Sequence, residues 1–269
     1  MKLGDLCKES YYFNKSGMLL NMNCLDGMKL MDDNTVDLTV TSPPYDDLRK
    51  YKGYSFDFEP IARELYRITK EGGVVVWVVG DATKDGSESG TSFKQALYFM
   101  ECGFKLHDTM IWHKKNPFNF GSNLCYRQSF EYMFIFSKGK LSSINLIKDV
   151  ISKMGGKTLK GARKHSDGSR DIVPDFECEV LKKRDNVWDI SLSSKTYGHP
   201  AVFPEQLAQD HILSWSNEGE IIFDPFMGSG TTAKMAQLNN RKWIGFEMSE
   251  EYCDVIKNRM EETNKNGVD

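Results

Sequence analysis

Short, mostly apolar runs alternate along this chain with stretches in which apolar residues recur every three or four positions. The first pattern predicts buried strands and the second amphipathic helices, so the alternation predicts a mainly parallel sheet covered by helices. Strands are expected at 36–40 (VDLTV), 74–80 (VVVWVVG), 104–112, 130–136, 220–224 and 242–247. Helices are expected at 59–70, with Pro60 in the first turn and the Gly72-Gly73 pair as its stop, and at 91–103 behind a hydroxyl cap. Three more are expected at 203–216, 230–240 and 249–262. Between 138 and 197 the apolar rhythm weakens. The pattern therefore predicts one α/β domain, 1–137 with 198–269, carrying a region 138–197 inserted into it or laid beside it.

Two strand ends break this regularity in ways that point to chemistry. The first strand runs into Thr41-Ser42-Pro43-Pro44-Tyr45, and two consecutive prolines end a strand and stiffen the turn beyond it. Nearly two hundred residues later, a strand runs into Asp224-Pro225-Phe226-Met227-Gly228-Ser229-Gly230, then a helix, then a strand closing on Glu247. Glycines at such a turn let backbone approach a ligand, and the helix N-terminus favours a negative group. An acid about twenty residues on is placed to accept hydrogen bonds from ribose hydroxyls. The dinucleotide pattern G-x-G-x-x-G is incomplete, because Ala233 stands at its last glycine. A nucleoside ligand without a pyrophosphate fits better, and S-adenosylmethionine has that character.

TSPPY with D-P-F-x-G-S-G-T resembles the amino-methylating DNA methyltransferases. The order, catalytic turn before cofactor turn with a basic region between, resembles their β group. HPAVFPEQL (199–207), GFKLHDTMIWHKKNP (103–117) and R-x-x-x-E-Y-x-x-x-F-x-K-G (127–139) extend the likeness over nearly the whole chain. The resemblance implies a Rossmann-like α/β methyltransferase fold, its mixed, mostly parallel sheet carrying helices on both faces. It implies S-adenosyl-L-methionine as cofactor, held by Asp224, Phe226, Gly228, Gly230, Thr231 and Glu247, with Phe203 and Asn23 contributing. Asn23 departs from the family pattern, standing where many relatives carry an acid; its amide oxygen still accepts a hydrogen bond.

In such enzymes the exocyclic amine of a base must be made nucleophilic, since its lone pair is delocalised into the ring. The Ser42 hydroxyl and the Pro43 carbonyl are the candidate acceptors for its N–H bonds, Pro43 and Pro44 fix them in place, and Tyr45 stacks on a base flipped from the duplex. Serine at the head of the turn resembles the cytosine-N4 subgroup; aspartate or asparagine is more usual for adenine-N6. No cysteine follows a proline, which argues against ring-carbon methylation.

The net charge of −3 alone argues against nucleic acid, but its distribution does not. Region 138–197 holds 13 Lys and Arg against 8 Asp and Glu, leaving the remainder acidic. Lys157, Lys160, Arg163 and Lys164 are candidates for phosphates or guanine edges; a solvated loop is the bland alternative. Arg49 and Lys50, just past the Pro-Pro turn, are candidates for closing over a flipped base, and a plain surface loop is again the alternative. The partner implied is double-stranded DNA, with a cognate restriction endonuclease and a homodimer raised by the family likeness.

The six cysteines are scattered and form no C-x-x-C, His113, His165, His199 and His211 show no metal spacing, and Met18, Met22, Met28 and Met31 read as core filler. With neither a signal-peptide pattern nor a membrane-length apolar run, a cytoplasmic protein is expected. Three readings stand: a cytosine-N4 methyltransferase, an adenine-N6 methyltransferase, and a DNA-binding module that has kept the fold but lost catalysis.

Overall fold

A computed structural model describes residues 7–44, 56–117, 125–193 and 202–266. The chain divides into two compact units, 1–145 with 186–269, and 146–185.

The larger unit is built on a nine-stranded sheet. Its strands are β1 (Tyr12–Phe13), β2 (Gly17–Asn21), β3 (Val36–Thr41), β4 (Thr69–Val79), β7 (Lys105–Lys114), β8 (Phe130–Ser137), β13 (Val187–Ile190), β14 (Ile221–Asp224) and β15 (Lys242–Glu247). A two-residue hairpin, β5 (Thr83–Lys84) with β6 (Ser87–Glu88), lies outside this sheet. Across the sheet the order is β1-β2-β15-β14-β3-β4-β8-β7-β13. The five strands from β2 to β4 are mutually parallel, and β8 is antiparallel to both its neighbours.

Residues 74–79 of β4 read as an unbroken apolar run because both faces of the sheet are covered. Alternate residues feed two separate cores. Leu38, Val40, Val74, Val76, Val78 and Ile222 pack with helices α4 (Glu205–Trp215), α5 (Thr231–Leu238) and α6 (Glu250–Asn266). Val36, Val75, Trp77, Val79 and Phe223 pack with α1 (Cys24–Leu30), α2 (Phe58–Ile68) and α3 (Thr91–Glu101). This is the doubly covered α/β arrangement expected. Met18, Met28 and Met31 are buried core residues. His211 is buried against the Trp188 ring and the Met133 sulfur, and burial pushes its pKa down to about 3, so it is a neutral packing residue.

Three local outcomes differ from the sequence pattern. The helix expected to stop at the glycine pair stops at Ile68, because Thr69 already pairs with Val36; Gly72 and Gly73 lie inside β4. Strand β2 and helix α1 carried no prediction; their apolar runs are too short to show a period. The region 138–197 is wider than the second compact unit: β13 joins the main sheet with Trp188 opposite Trp112, and the Asn145 N–H donates to the Ser214 carbonyl at 2.8 Å.

The second unit consists of an antiparallel pair, β9 (Lys148–Ile151) with β12 (Leu181–Lys183), and, between them in the chain, a hairpin of β10 (Thr158–Lys164) with β11 (Arg170–Glu177). Of its residues only Gly161 is buried. Ion pairs Lys148–Glu179 (2.7 Å) and Arg184–Asp149 (2.5 Å) join the two sides of the β9–β12 pair. Among the described residues no helix is long and apolar enough to cross a membrane, and no group of three or more His, Cys, Asp or Glu is arranged to hold a metal ion.

Candidate active site

Four adjacent parallel strands end on one edge of the sheet and deliver the predicted residues together. Asn23 follows β2, Glu247 ends β15, Asp224 ends β14 and Ser42 follows β3. Strands β14 and β3 are direct neighbours, so the Pro-Pro turn and the glycine turn leave the sheet side by side. Ligand sites of open α/β sheets form at such carboxyl ends.

Hydrogen bonds fasten the two turns to each other. The Thr41 hydroxyl donates to Asp224 Oδ1 at 2.7 Å, and the same oxygen accepts the Phe226 N–H at 3.0 Å. From the first turn of α5, the Thr232 hydroxyl donates back to the Val40 carbonyl at 3.1 Å. Asp224 is only 5% exposed, and burial pushes its pKa up to about 6, the Thr41 and Phe226 hydrogen bonds offsetting part of the rise. Pro43 is buried and Ser42 half-buried, and the Ser42 hydroxyl has no partner among the described residues.

The glycine turn is aimed by Glu247. Its carboxylate accepts the Gly228 N–H at 2.8 Å and the Ser249 N–H at 2.9 Å, one on each oxygen. Burial raises its pKa, against backbone hydrogen bonds from Ser249, Gly228 and Met248. A carboxylate has about four acceptor sites, which leaves capacity for a ligand hydroxyl beside these backbone N–H groups. Gly228 and Gly230 have φ of +51° and +78°, the left-handed region that favours glycine. At Gly230 a Cβ would also lie 3.0 Å from Ile256 of α6, so this glycine serves helix packing as well. Phe226, half-buried, meets the Phe56 and Trp77 rings edge-on at 5.6 and 6.4 Å. A carboxylate with spare lone pairs, an aromatic ring and a helix N-terminus at a glycine turn together fit a nucleoside bearing a charged tail.

The remaining predicted residues divide by location. Asn23 caps α1, its side-chain oxygen accepting the Leu25 N–H at 2.8 Å, while its amide nitrogen faces the Met248 sulfur at 3.7 Å, next to Glu247. Phe203 is half-buried against the core on the α4–α6 face. Thr231 opens α5 and is buried. Lys157, Lys160, Arg163 and Lys164 lie in the second unit. Tyr45, Arg49, Lys50 and His199 lie outside the described residues.

Sequence reasoning missed the residues that support the turns from behind. Arg259 of α6 is buried and donates to the Ser229 carbonyl, and to Glu205 at 2.9 Å. Lys234 of α5 reaches the same Glu205 oxygen at 2.7 Å. A cation flanked by apolar Ile256 and Met260 on a closing helix is the one sequence signal that marks Arg259. Thr41 carried a comparable signal, a hydroxyl at the last strand position, directly before Ser42-Pro43-Pro44.

Residues 36–258 match the DNA methylase family N6_N4_Mtase. The chain is 59% identical over 240 residues to the orphan methyltransferase M.BamHII of Bacillus amyloliquefaciens, covering 85% of this chain and 89% of that protein. Its fold matches PvuII DNA methyltransferase (cytosine-N4-specific) with a TM-score of 0.70 at 22% identity, over 96% of this chain and 93% of the other. It also matches M1.HpyAVI, solved as its SAM complex, with a TM-score of 0.63 at 20% identity, over 91% and 98% of the two chains. A family match that starts at the first residue of β3 and ends inside the last helix, with a relative at that identity, makes this chain a member of the N6/N4 DNA methylase family.

Proposed function

We propose that the chain transfers a methyl group from S-adenosyl-L-methionine to the exocyclic N4 amine of a cytosine flipped out of duplex DNA. The observation that carries this reading is the Thr41–Asp224 hydrogen bond at 2.7 Å, which fastens the catalytic turn to the glycine turn. Bound there, the cofactor supplies an electrophilic sulfonium methyl group. Glu247 accepts the ribose hydroxyls, Asn23 meets the adenine amine, and Phe226 and Phe203 line the adenosine. The solved relative in its SAM complex supports this choice of ligand.

The chain's own work on the base is positional. The Ser42 hydroxyl oxygen and the Pro43 carbonyl accept the two N–H bonds of the amine and draw its nitrogen toward tetrahedral geometry, which frees the lone pair. Pro43 and Pro44 fix these acceptors before the base arrives, and Tyr45 stacks on its face. No covalent nucleophile is required. A base inside a duplex cannot reach this corner, so the nucleotide leaves the stack. The second unit, 146–185, is assigned to reading the target sequence, and the relatives' names fit a restriction-modification setting.

Serine at the head of the turn favours cytosine. Adenine-N6 methylation is the second reading, because both bases present the same amine chemistry to the same acceptors. The test is to incubate the protein with duplex DNA and methyl-labelled cofactor, digest to nucleosides and identify the labelled base by mass spectrometry. N4-methylcytosine is expected. N6-methyladenine overturns the base assignment, and unlabelled DNA that is nevertheless bound indicates a module without catalysis.

A further inference from the structure

The β10–β11 hairpin is a two-stranded ribbon with two unlike faces, and cross-strand partners of such a ribbon project to the same side. On one face, Lys164 stands opposite Arg170, Ala162 opposite Ile172 and, past a register shift, Thr158 opposite Glu177; Lys160, two residues before Ala162 on the same strand, shares that side. On the other, Arg163 stands opposite Asp171 and Gly161 opposite Val173, with Leu159 opposite Phe176. The faces differ in exposure and in charge. The second includes the unit's buried Gly161, a half-buried Leu159 and an acid. The first sets three cations around Ile172, which is 95% exposed, with one acid, Glu177, at its far end.

Elsewhere in this unit Lys148 and Arg184 are held by acids. Lys160, Lys164 and Arg170 make no ion pair or hydrogen bond among the described residues. Three unneutralised cations on one side of a narrow ribbon match a polyanion, and the major groove, about 12 Å wide, admits a two-stranded β-ribbon. We infer that this ribbon enters the major groove of duplex DNA with the Lys160–Lys164–Arg170 face toward it, the three cations on phosphates and Ile172 against base edges. The groove-facing surface thus includes Arg170 and Ile172 and turns Arg163 away. This deepens the reading of 146–185 as the recognition unit and rests on it.

Arg163 and Lys164 provide the test, being adjacent, cationic and on opposite faces. Affinity for a labelled duplex is measured by fluorescence anisotropy across a salt series, with cofactor affinity as the check that the larger unit is intact. Lys164→Gln is expected to flatten the slope of log affinity against log salt by about 0.9, and the Lys160→Gln, Lys164→Gln, Arg170→Gln combination by about 2 to 3. Arg163→Gln is expected to flatten it by less than half as much as Lys164→Gln. On a duplex carrying the mapped methylation site, Ile172→Ser should lower discrimination against a scrambled duplex while leaving the slope as in wild type. An effect of Arg163→Gln equal to or above that of Lys164→Gln overturns the face assignment. Unchanged slopes in every variant, with methylation of DNA intact, remove the ribbon from the interface and leave the methyltransferase reading standing. A wild-type protein that binds DNA with the expected ranking of variants but transfers no methyl group upholds the ribbon and refutes the proposed activity.

Discussion

Asp224 is 5% exposed and Ile172 is 95% exposed, and the contrast describes the two units of this chain. Around Asp224 most polar groups are committed: Thr41, Thr232, Phe226 and, through the Ser229 carbonyl, Arg259 make hydrogen bonds that lock two turns to one sheet edge. Around Ile172 the cations Lys160, Lys164 and Arg170 stand uncommitted among the described residues, on a ribbon with no core of its own. Chemistry on an amine needs acceptors fixed before the substrate arrives, and a buried, hydrogen-bonded scaffold supplies that. Contact with a nucleic-acid surface needs charges without protein partners, and burial would defeat it. Changes in the first region should therefore register in stability and cofactor affinity, and changes in the second only when DNA is present.

The largest effect that sharpens this contrast concerns pH. Burial raises the Asp224 pKa from 3.8 to about 6. Below the lower value the group is protonated in both folded and unfolded chains and costs nothing. As pH rises through the window the unfolded chain ionises first, so stability is lost, reaching roughly 3 kcal/mol above pH 6. Urea unfolding should show wild-type stability falling against Asp224→Asn between these pH values and running parallel above them; parallel curves throughout would show that the carboxyl is not desolvated.

Next in size, Glu247→Ala should weaken S-adenosylmethionine binding by roughly tenfold to a hundredfold in calorimetric titration, the worth of a charged hydrogen bond to a hydroxyl. Because burial raises this group's pKa, wild-type affinity should fall on acidification at a higher pH than for an ordinary carboxylate, and Glu247→Gln should remove that dependence. Thr41→Val should destabilise by about 1–2 kcal/mol in thermal unfolding, with Thr41→Ser restoring most of it, since only the hydroxyl reaches Asp224. The smallest effect belongs to the ribbon: Lys164→Gln and Arg170→Gln should leave unfolding free energy within about 0.5 kcal/mol of wild type. A larger change there would mean that these side chains support the fold.

The sheet and the two turns were legible because their signals are local. An apolar run closed by Pro-Pro, and a strand closed by Asp-Pro-Phe with glycines, each announce themselves within ten residues. That the turns converge depends on β14 lying next to β3, a pairing between residues about 180 apart in sequence that no local pattern encodes. Arg259 and Glu205 escaped notice for the same reason, since their roles come from helices brought together only by folding. Strand β13 was hidden inside the region of weak rhythm because four residues are too few to show a period. The basic segment was visible as composition, but its division into two unlike faces appears only with the register of β10 on β11.

Methyl transfer at this corner depends most directly on Ser42 acting as an acceptor for the amine. The deciding measurement is the single-turnover rate of methyl transfer by Ser42→Ala at saturating cofactor and DNA. We expect that rate to fall by about a hundredfold or more, the usual cost of removing one group aligned on the reacting centre, with cofactor affinity within about twofold of wild type. A rate within about threefold of wild type would contradict that role, because the amine would then be held somewhere other than the corner that β3 and β14 share.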